Sequence, residues 1–330
     1  MSRWQYRKGL HDIGHGCFAY LQPDGSWGWS NAGLVTDGDQ TLLVDTLFDL
    51  PLTAAMLKTM REAVPAARKI GKLVNTHANG DHTFGNQLVE GAEIIACREC
   101  AKEFAEAPPS MLVAFETGWK TLGDGGAFFH EVMGSRFDWR GVVPTPPTTL
   151  FDKTMEVTVG DKRLHLTHLG SAHTRGDILV HVPADRVLYT GDLLFAGGHP
   201  VIWEGPIGNW IKACDYILGL DVDVIVPGHG PISEKPAVRE LKSYFEYIAR
   251  EARTHFDNGV PAGVAAEKIS LDRFAWLDPE RIVINVASLY REFSGSKEPL
   301  SRIALFAAMK KYRAAHAHAH AGHAHSHVPR

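Results

Sequence analysis

The chain has 330 residues, 45% of them hydrophobic and 22% charged, with a formal net charge of −4. That balance suits a folded globular protein with a large core, and it gives no basic footprint for nucleic acid or an anionic membrane surface. No stretch reaches the roughly 18 uncharged apolar residues of a membrane span, and the basic N-terminus lacks the apolar core of a secretory signal, so a cytoplasmic location is expected.

In chain order, Gly16-Cys-Phe-Ala-Tyr-Leu21 and Asn31-Ala-Gly-Leu-Val35 predict strands on either side of a Pro23-Asp-Gly25 turn. Gln40-Thr-Leu-Leu-Val-Asp45 closes a hairpin through Asp37-Gly38. Apolar residues at helical spacing over 51–64, opened by Pro51, predict a helix. Lys72-Leu-Val-Asn75 reads as a short strand running into the polar loop His77-Ala-Asn-Gly-Asp81-His82. Cys97-Arg-Glu-Cys100 has the spacing of a redox or zinc pair, but no second pair completes a zinc site, so it reads as packing. The four cysteines are too few for a disulfide framework.

Residues 105–150 hold Pro108-Pro109, Gly123-Asp-Gly-Gly126 and Pro144-Thr-Pro-Pro147 among aromatics, and read as a long irregular lid or substrate loop. Strands return at 155–159, 163–167, 178–182, 186–190 and 222–226, and a helical pattern begins near Lys235. Three regions are therefore expected: a sheet-rich α/β domain over 1–235, a helical extension over 236–313, and a histidine-rich tail over 314–330. The tail alternates imidazoles with small residues and is expected to be disordered, binding divalent ions loosely.

Four loops, each after an apolar run, offer metal-type ligands. They are His77-Ala-Asn-Gly-Asp81-His82, Gly170-Ser-Ala-His173-Thr-Arg-Gly-Asp177, Tyr189-Thr-Gly-Asp192 and Pro227-Gly-His229-Gly230. Any one alone is a common turn, but four in this order are not. Together they resemble the motifs of the metallo-β-lactamase-fold hydrolase superfamily over roughly residues 15–235. The resemblance implies an α/β fold, an αββα sandwich with a metal site at one edge between two sheets.

The family motif His-x-His-x-Asp-His falls on His77, Asn79, Asp81 and His82, its next histidine on His173, its bridging aspartate on Asp192 and its last histidine on His229. Asp45 matches the aspartate that props the metal loop. The implied metal ligands are His77, Asp81, His82, His173, Asp192 and His229, with Asp81 also orienting the nucleophile as the catalytic residue. Asn79 is the departure, because an amide is a weak, uncharged donor where the family has imidazole. One zinc ion held tightly by Asp81, His82, Asp192 and His229 is expected, with the His77/His173 position empty or weakly filled. Two carboxylates and two imidazoles also accept manganese or iron.

The activity implied is zinc-dependent hydrolysis, in which a metal-bound hydroxide attacks a small apolar or aromatic ester, lactone, thioester or activated aryl halide. The site resembles those of hydrolytic dehalogenases of chlorinated aromatics, glyoxalase II-like thioesterases and lactonases. Aromatics in 115–139 with Trp203, Trp210, Trp27 and Trp29 are the expected substrate wall, and Asn79 and Trp203 are candidate substrate contacts. Two other functions stay open: metal buffering by the tail, and a mononuclear-iron dioxygenase of the same fold. The expected partner is a small molecule, with no nucleic acid and no membrane. The apolar face of the C-terminal helical segment fits either core packing or a homodimer.

Overall fold

The structure is a computed structural model and describes residues 4–320. Its first sheet has seven strands in sequence order: β1 (Gly9–Gly14), β2 (Cys17–Leu21), β3 (Ala32–Asp37), β4 (Gln40–Val44), β5 (Lys72–Val74), β6 (Glu93–Cys97) and β7 (Thr149–Phe151). The first four form an antiparallel meander, and β5, β6 and β7 add in parallel. The second sheet runs from β8 (Thr154–Val159) through β9 (Lys162–His168), β10 (Ile178–Val182) and β11 (Val187–Phe195) to β12 (Val224–His229). Only β11 and β12 pair in parallel there.

Side-chain alternation decides which face of each strand meets which layer. On β4, Leu42 and Val44 point inward to Leu164, Val180 and Tyr189 of the second sheet, whereas Leu43 points outward. The outward face takes helix α1 (Leu50–Ala63) through Met56, Leu57 and Met60. Asp49 caps α1 by accepting from the Leu52 N–H at 2.8 Å, and Pro51 sits in its first turn, where no amide hydrogen is needed.

The short helix α2 (Gly80–Thr83) follows β5 and carries Asp81 and His82. Helix α3 (Arg98–Glu103) begins at the cysteine pair. Cys97 caps it, its sulfur accepting from the Cys100 N–H and donating to the Gly176 carbonyl. Burial pushes the Cys97 thiol up to about 12, so the pair is packing and not a reactive thiolate.

Residues 105–150 depart from the expected irregular loop. Helices α4 (Pro109–Gly118) and α5 (Gly123–Phe129), with short turns of helix after each, fill the first thirty of them. The glycines act here as close-packing positions. A Cβ at Gly125 would strike the backbone of Ile303, and one at Gly126 the backbone of Trp119. Phe128, Phe129, Phe137 and Trp139 are core residues, not an exposed wall.

The outer face of the second sheet is covered by α6 (Ile207–Gly219), α7 (Lys235–Asp257), α8 (Ala262–Lys268) and α9 (Ile282–Ser294). Helix α7 buries Val238, Leu241, Phe245, Ile248 and Ala252, the three-and-four spacing of one helical face. These side chains share one cluster with Leu179, Leu188 and Ile225 of the sheet. Each large side chain so buried contributes about 1.5–3 kcal/mol. Helix α10 (Arg302–His320) lies against α5 and carries Phe306 into the same cluster. The first part of the histidine-rich tail is thus helical, and positions 321–330 lie outside the described residues. Two helical layers enclose two sheets, the αββα arrangement. No helix of the described residues is long and apolar enough to cross a membrane.

Candidate metal centre

Six ligand-type side chains meet at one edge of the sandwich. His77, Asp81 and His82 come from the segment after β5, His173 from the loop before β10, Asp192 from β11 and His229 from the end of β12. Parallel pairing of β11 with β12 sets Gly191 beside Pro227 and Phe195 beside His229, which brings Asp192 and His229 to the same edge. A Cβ at position 228 would collide with the Asp192 carboxylate, so glycine is required there for the approach.

The distances place Asp192 between the two sides of the cluster. His82 Nε2 lies 3.1 Å from Asp192 Oδ1 and 3.8 Å from Asp81 Oδ2. His229 Nε2 lies 3.3 Å from Asp81 Oδ2 and 3.4 Å from Asp192 Oδ2. On the other side, Asp192 Oδ2 is 3.2 Å from His173 Nε2 and 3.8 Å from His77 Nε2. Two overlapping trios are close enough to share an ion: Asp81, His82 and His229, and His77, His82 and Asp192.

The far side of each imidazole is anchored. His82 Nδ1 bonds Asp45 at 2.9 Å, His77 Nδ1 the Thr76 hydroxyl at 3.1 Å, His173 Nδ1 the Val201 carbonyl at 2.7 Å and His229 Nδ1 the Gly25 carbonyl at 3.1 Å. Such contacts fix ring orientation and turn the Nε2 atoms toward the carboxylates of Asp81 and Asp192. Asp45 itself sits at φ +62°, a strained backbone region for a non-glycine residue. It is held there by the Thr76 N–H and hydroxyl, both donating at 2.7 Å.

A cation fits this arrangement on two grounds. His77 Nε2, His82 Nε2 and Asp192 Oδ1 are buried without a hydrogen-bond partner, a costly state unless a ligand completes them. Among the described residues, no lysine or arginine pairs with Asp81 or Asp192. Burial would disfavour charge on His82, but Asp192, Asp81 and Asp45 outweigh it and hold its pKa well above the usual value. His229 is likewise raised to about 9, against the effect of burial, by Asp192 and Asp81. His77 goes the other way, pushed well down by burial and by neighbouring His82. The raised pKa values of His82 and His229 reflect the negative charge of Asp81 and Asp192, which equally favours a divalent ion.

Asn79 caps no backbone amide of α2. Its side chain reaches across instead to His173 Nε2 at 3.0 Å.

A cavity of about 130 Å³ opens onto Asn79, Asp81, His173, Asp192 and His229. Trp203 lines it, as do Trp27 and Phe115, but Trp210 is core, its Nε1 donating to Leu193 O at 3.0 Å, and Trp29 packs at a tilt against Phe137. The rest of the wall was not evident from sequence. Phe48, Phe84 and Phe195 come from the sheet edges, and Arg281, Arg302 and Phe306 from the C-terminal helices. Helical periodicity marks such residues as packing, and nothing local says that they reach the site. Ser30, Asn31, Asn75 and Asn86 were also missed. Ser30 Oγ holds the Asp81 carbonyl at 2.5 Å, and Asn31 holds the Pro227 and Gly230 carbonyls.

Known proteins resemble this chain in sequence and fold. A family model described as the metallo-beta-lactamase superfamily matches residues 25–229. The 2,4-dinitroanisole O-demethylase subunit alpha of Nocardioides sp. (strain JS1661) is 24% identical over 73% of this chain, a match spanning 62% of that subunit's length. The acyl-coenzyme A thioesterase MBLAC2 of Homo sapiens is 25% identical over 68% of this chain and 81% of its own. Among solved structures, the inverting sec-alkylsulfatase Pisa1 from Pseudomonas sp. superposes with a TM-score of 0.65 at 16% identity, over 89% of this chain but 52% of that one. A metallo-beta-lactamase from Pontibacter korlensis does so with a TM-score of 0.56 at 16% identity, over 73% of this chain and 99% of its own. With the sandwich, the ligand edge and this match in agreement, the chain belongs to the metallo-beta-lactamase superfamily.

Proposed function

We propose that the protein is a zinc-dependent hydrolase with one tightly held ion, acting on a small activated aryl compound with an ester, ether or halide bond to break. The observation that carries this reading is the cavity. At about 130 Å³ it is close to the roughly 150 Å³ that receives a benzene ring in an engineered apolar cavity. Its walls are chiefly aromatic and aliphatic, and its floor is the ligand cluster. A one-ring compound also appears in the name of the Nocardioides relative.

Asp81, His82, Asp192 and His229 would hold the ion, and the engagement of His173 Nε2 by the Asn79 side chain supports a single tight site. A bound zinc ion lowers the pKa of a coordinated water and polarises the bond under attack. Asp81 faces the cavity and would orient the attacking water and accept its proton. Asn79 and His173 form a hydrogen-bonded pair on the cavity floor, placed to contact the leaving atom. The aromatic wall keeps bulk water away from the reacting centre.

The test uses the full chain and a form ending at Arg313, each stripped with a chelator and titrated with zinc. Turnover of aryl esters and activated aryl halides should return with one equivalent of zinc in both forms. No turnover in either form, together with metal capacity that falls with removal of residues 314–330, would make the chain a metal buffer instead.

A further inference from the structure

Two arginines reach the cavity from the C-terminal helices, and both have donors to spare. Arg281 is 1% exposed and lines the cavity next to Trp27. Its guanidinium stacks over that ring at 4.4 Å, donates from Nη1 to the His199 carbonyl at 2.8 Å, and pairs through Nη2 with Asp278 at 3.0 Å. Its Nε–H has no acceptor. A buried, charged donor left unmatched is costly and points to a ligand atom that completes it. Phe195 lies near both groups, 5.9 Å from this guanidinium and stacked on His229 at 5.0 Å.

Arg302 is exposed at the mouth of the same cavity and lies over Trp203 at 5.3 Å. Among the described residues, no carboxylate lies within ion-pair distance of it. Glu204, its nearest influence, is shared with Arg291 at 3.9 Å. Asp278 compensates Arg281, so the two arginines together bring about one positive charge in excess to the cavity lining, with an unused donor on Arg281.

We infer that Arg281 and Arg302 form an oxyanion subsite, so that the preferred substrate is an aromatic ring bearing one monoanionic oxygen group, such as a sulfonate or carboxylate, opposite the reacting bond. The inference rests on the cavity being the substrate site, as proposed above. The flat guanidinium on Trp27 leaves its edge for oxygen acceptors, and the ring of the substrate fills the aromatic space between this edge and the ligand cluster.

Binding tests this without requiring turnover. Affinities of benzenesulfonate and toluene are measured on the zinc-loaded full chain by quenching of tryptophan fluorescence, since Trp27 and Trp203 line the cavity. Benzenesulfonate should bind at least about tenfold more tightly than toluene, the scale of one charge-assisted hydrogen bond. That ratio should fall about tenfold in Arg302→Gln and in Arg281→Gln. Equal affinities in the parent would overturn the inference, as would a preference that survives both substitutions, which would put the sulfonate on the metal. Should Arg281→Gln fail to fold, Arg302→Gln decides alone. Failure of the hydrolase reading would show as missing turnover and would leave these affinities readable.

Discussion

Asn79 donates its side-chain amide to His173 Nε2 across 3.0 Å. The direction follows from the other ring nitrogen. His173 Nδ1 faces the Val201 carbonyl at 2.7 Å, which only accepts, so Nδ1 holds the proton and Nε2 offers its lone pair. The lone pair that a first metal ion would need is therefore engaged by a neutral amide. Elemental analysis should find one zinc per chain in the protein ending at Arg313. The Asn79→His variant should hold two, because imidazole restores the third ligand beside His77 and His173. Two ions in the parent would end the single-ion reading and favour a binuclear mechanism.

Asp81 combines two roles that a conservative change separates. Asp81→Asn keeps the shape but loses the charge needed to take a proton from water. His82, Asp192 and His229 remain as ligands, so zinc should stay bound, though less tightly. Turnover should fall by about 10²–10⁴, the usual contribution of a positioned acid or base. Unchanged turnover with zinc in place would remove Asp81 from the chemistry.

Asp45 touches no cavity surface and should act through His82. It is fully buried, and although burial raises its carboxyl pKa, His82 and Thr76 counter this with charge and hydrogen bonds. Asn tolerates the same positive-φ backbone, so Asp45→Asn tests the carboxylate without breaking the turn. Zinc affinity, measured by competition with a chelator, should drop about 10- to 100-fold. An unaltered affinity would mean that Asp45 serves only the backbone of the loop.

How much was legible follows from the range over which each residue acts. His77, Asp81, His82, His173, Asp192 and His229 stand in short local motifs at strand ends, and the resemblance those motifs carry implied that they meet at one edge. Asn31 is different. It joins carbonyls 196 and 199 residues away, and no local pattern announces that. Arg281 and Phe306 read as helix packing, which in part they are, and only the folded chain shows that they also wall the cavity. Gly123-Asp-Gly-Gly126 misled for a physical reason. Glycine lowers helix propensity and so reads as a break, but tertiary packing against α10 repays that cost.

That last contact gives a prediction about how the cavity is held. A methyl group on Gly125 would meet the Ile303 carbonyl of α10, which is backbone and cannot rotate aside. On propensity alone, Gly125→Ala should stabilise helix α5 by up to about 1 kcal/mol. Overpacking against α10 should win, with a net loss of about 1–3 kcal/mol in denaturant unfolding. Because α10 also supplies Arg302 and Phe306 to the cavity wall, the same variant should weaken aryl ligand binding while leaving zinc affinity alone. The ligand cluster is built from the sheet edges, not from α10, and this separates the two readouts. A Gly125→Ala protein more stable than its parent would show that α10 can slide away from α5, and that the C-terminal wall of the cavity is not rigidly placed.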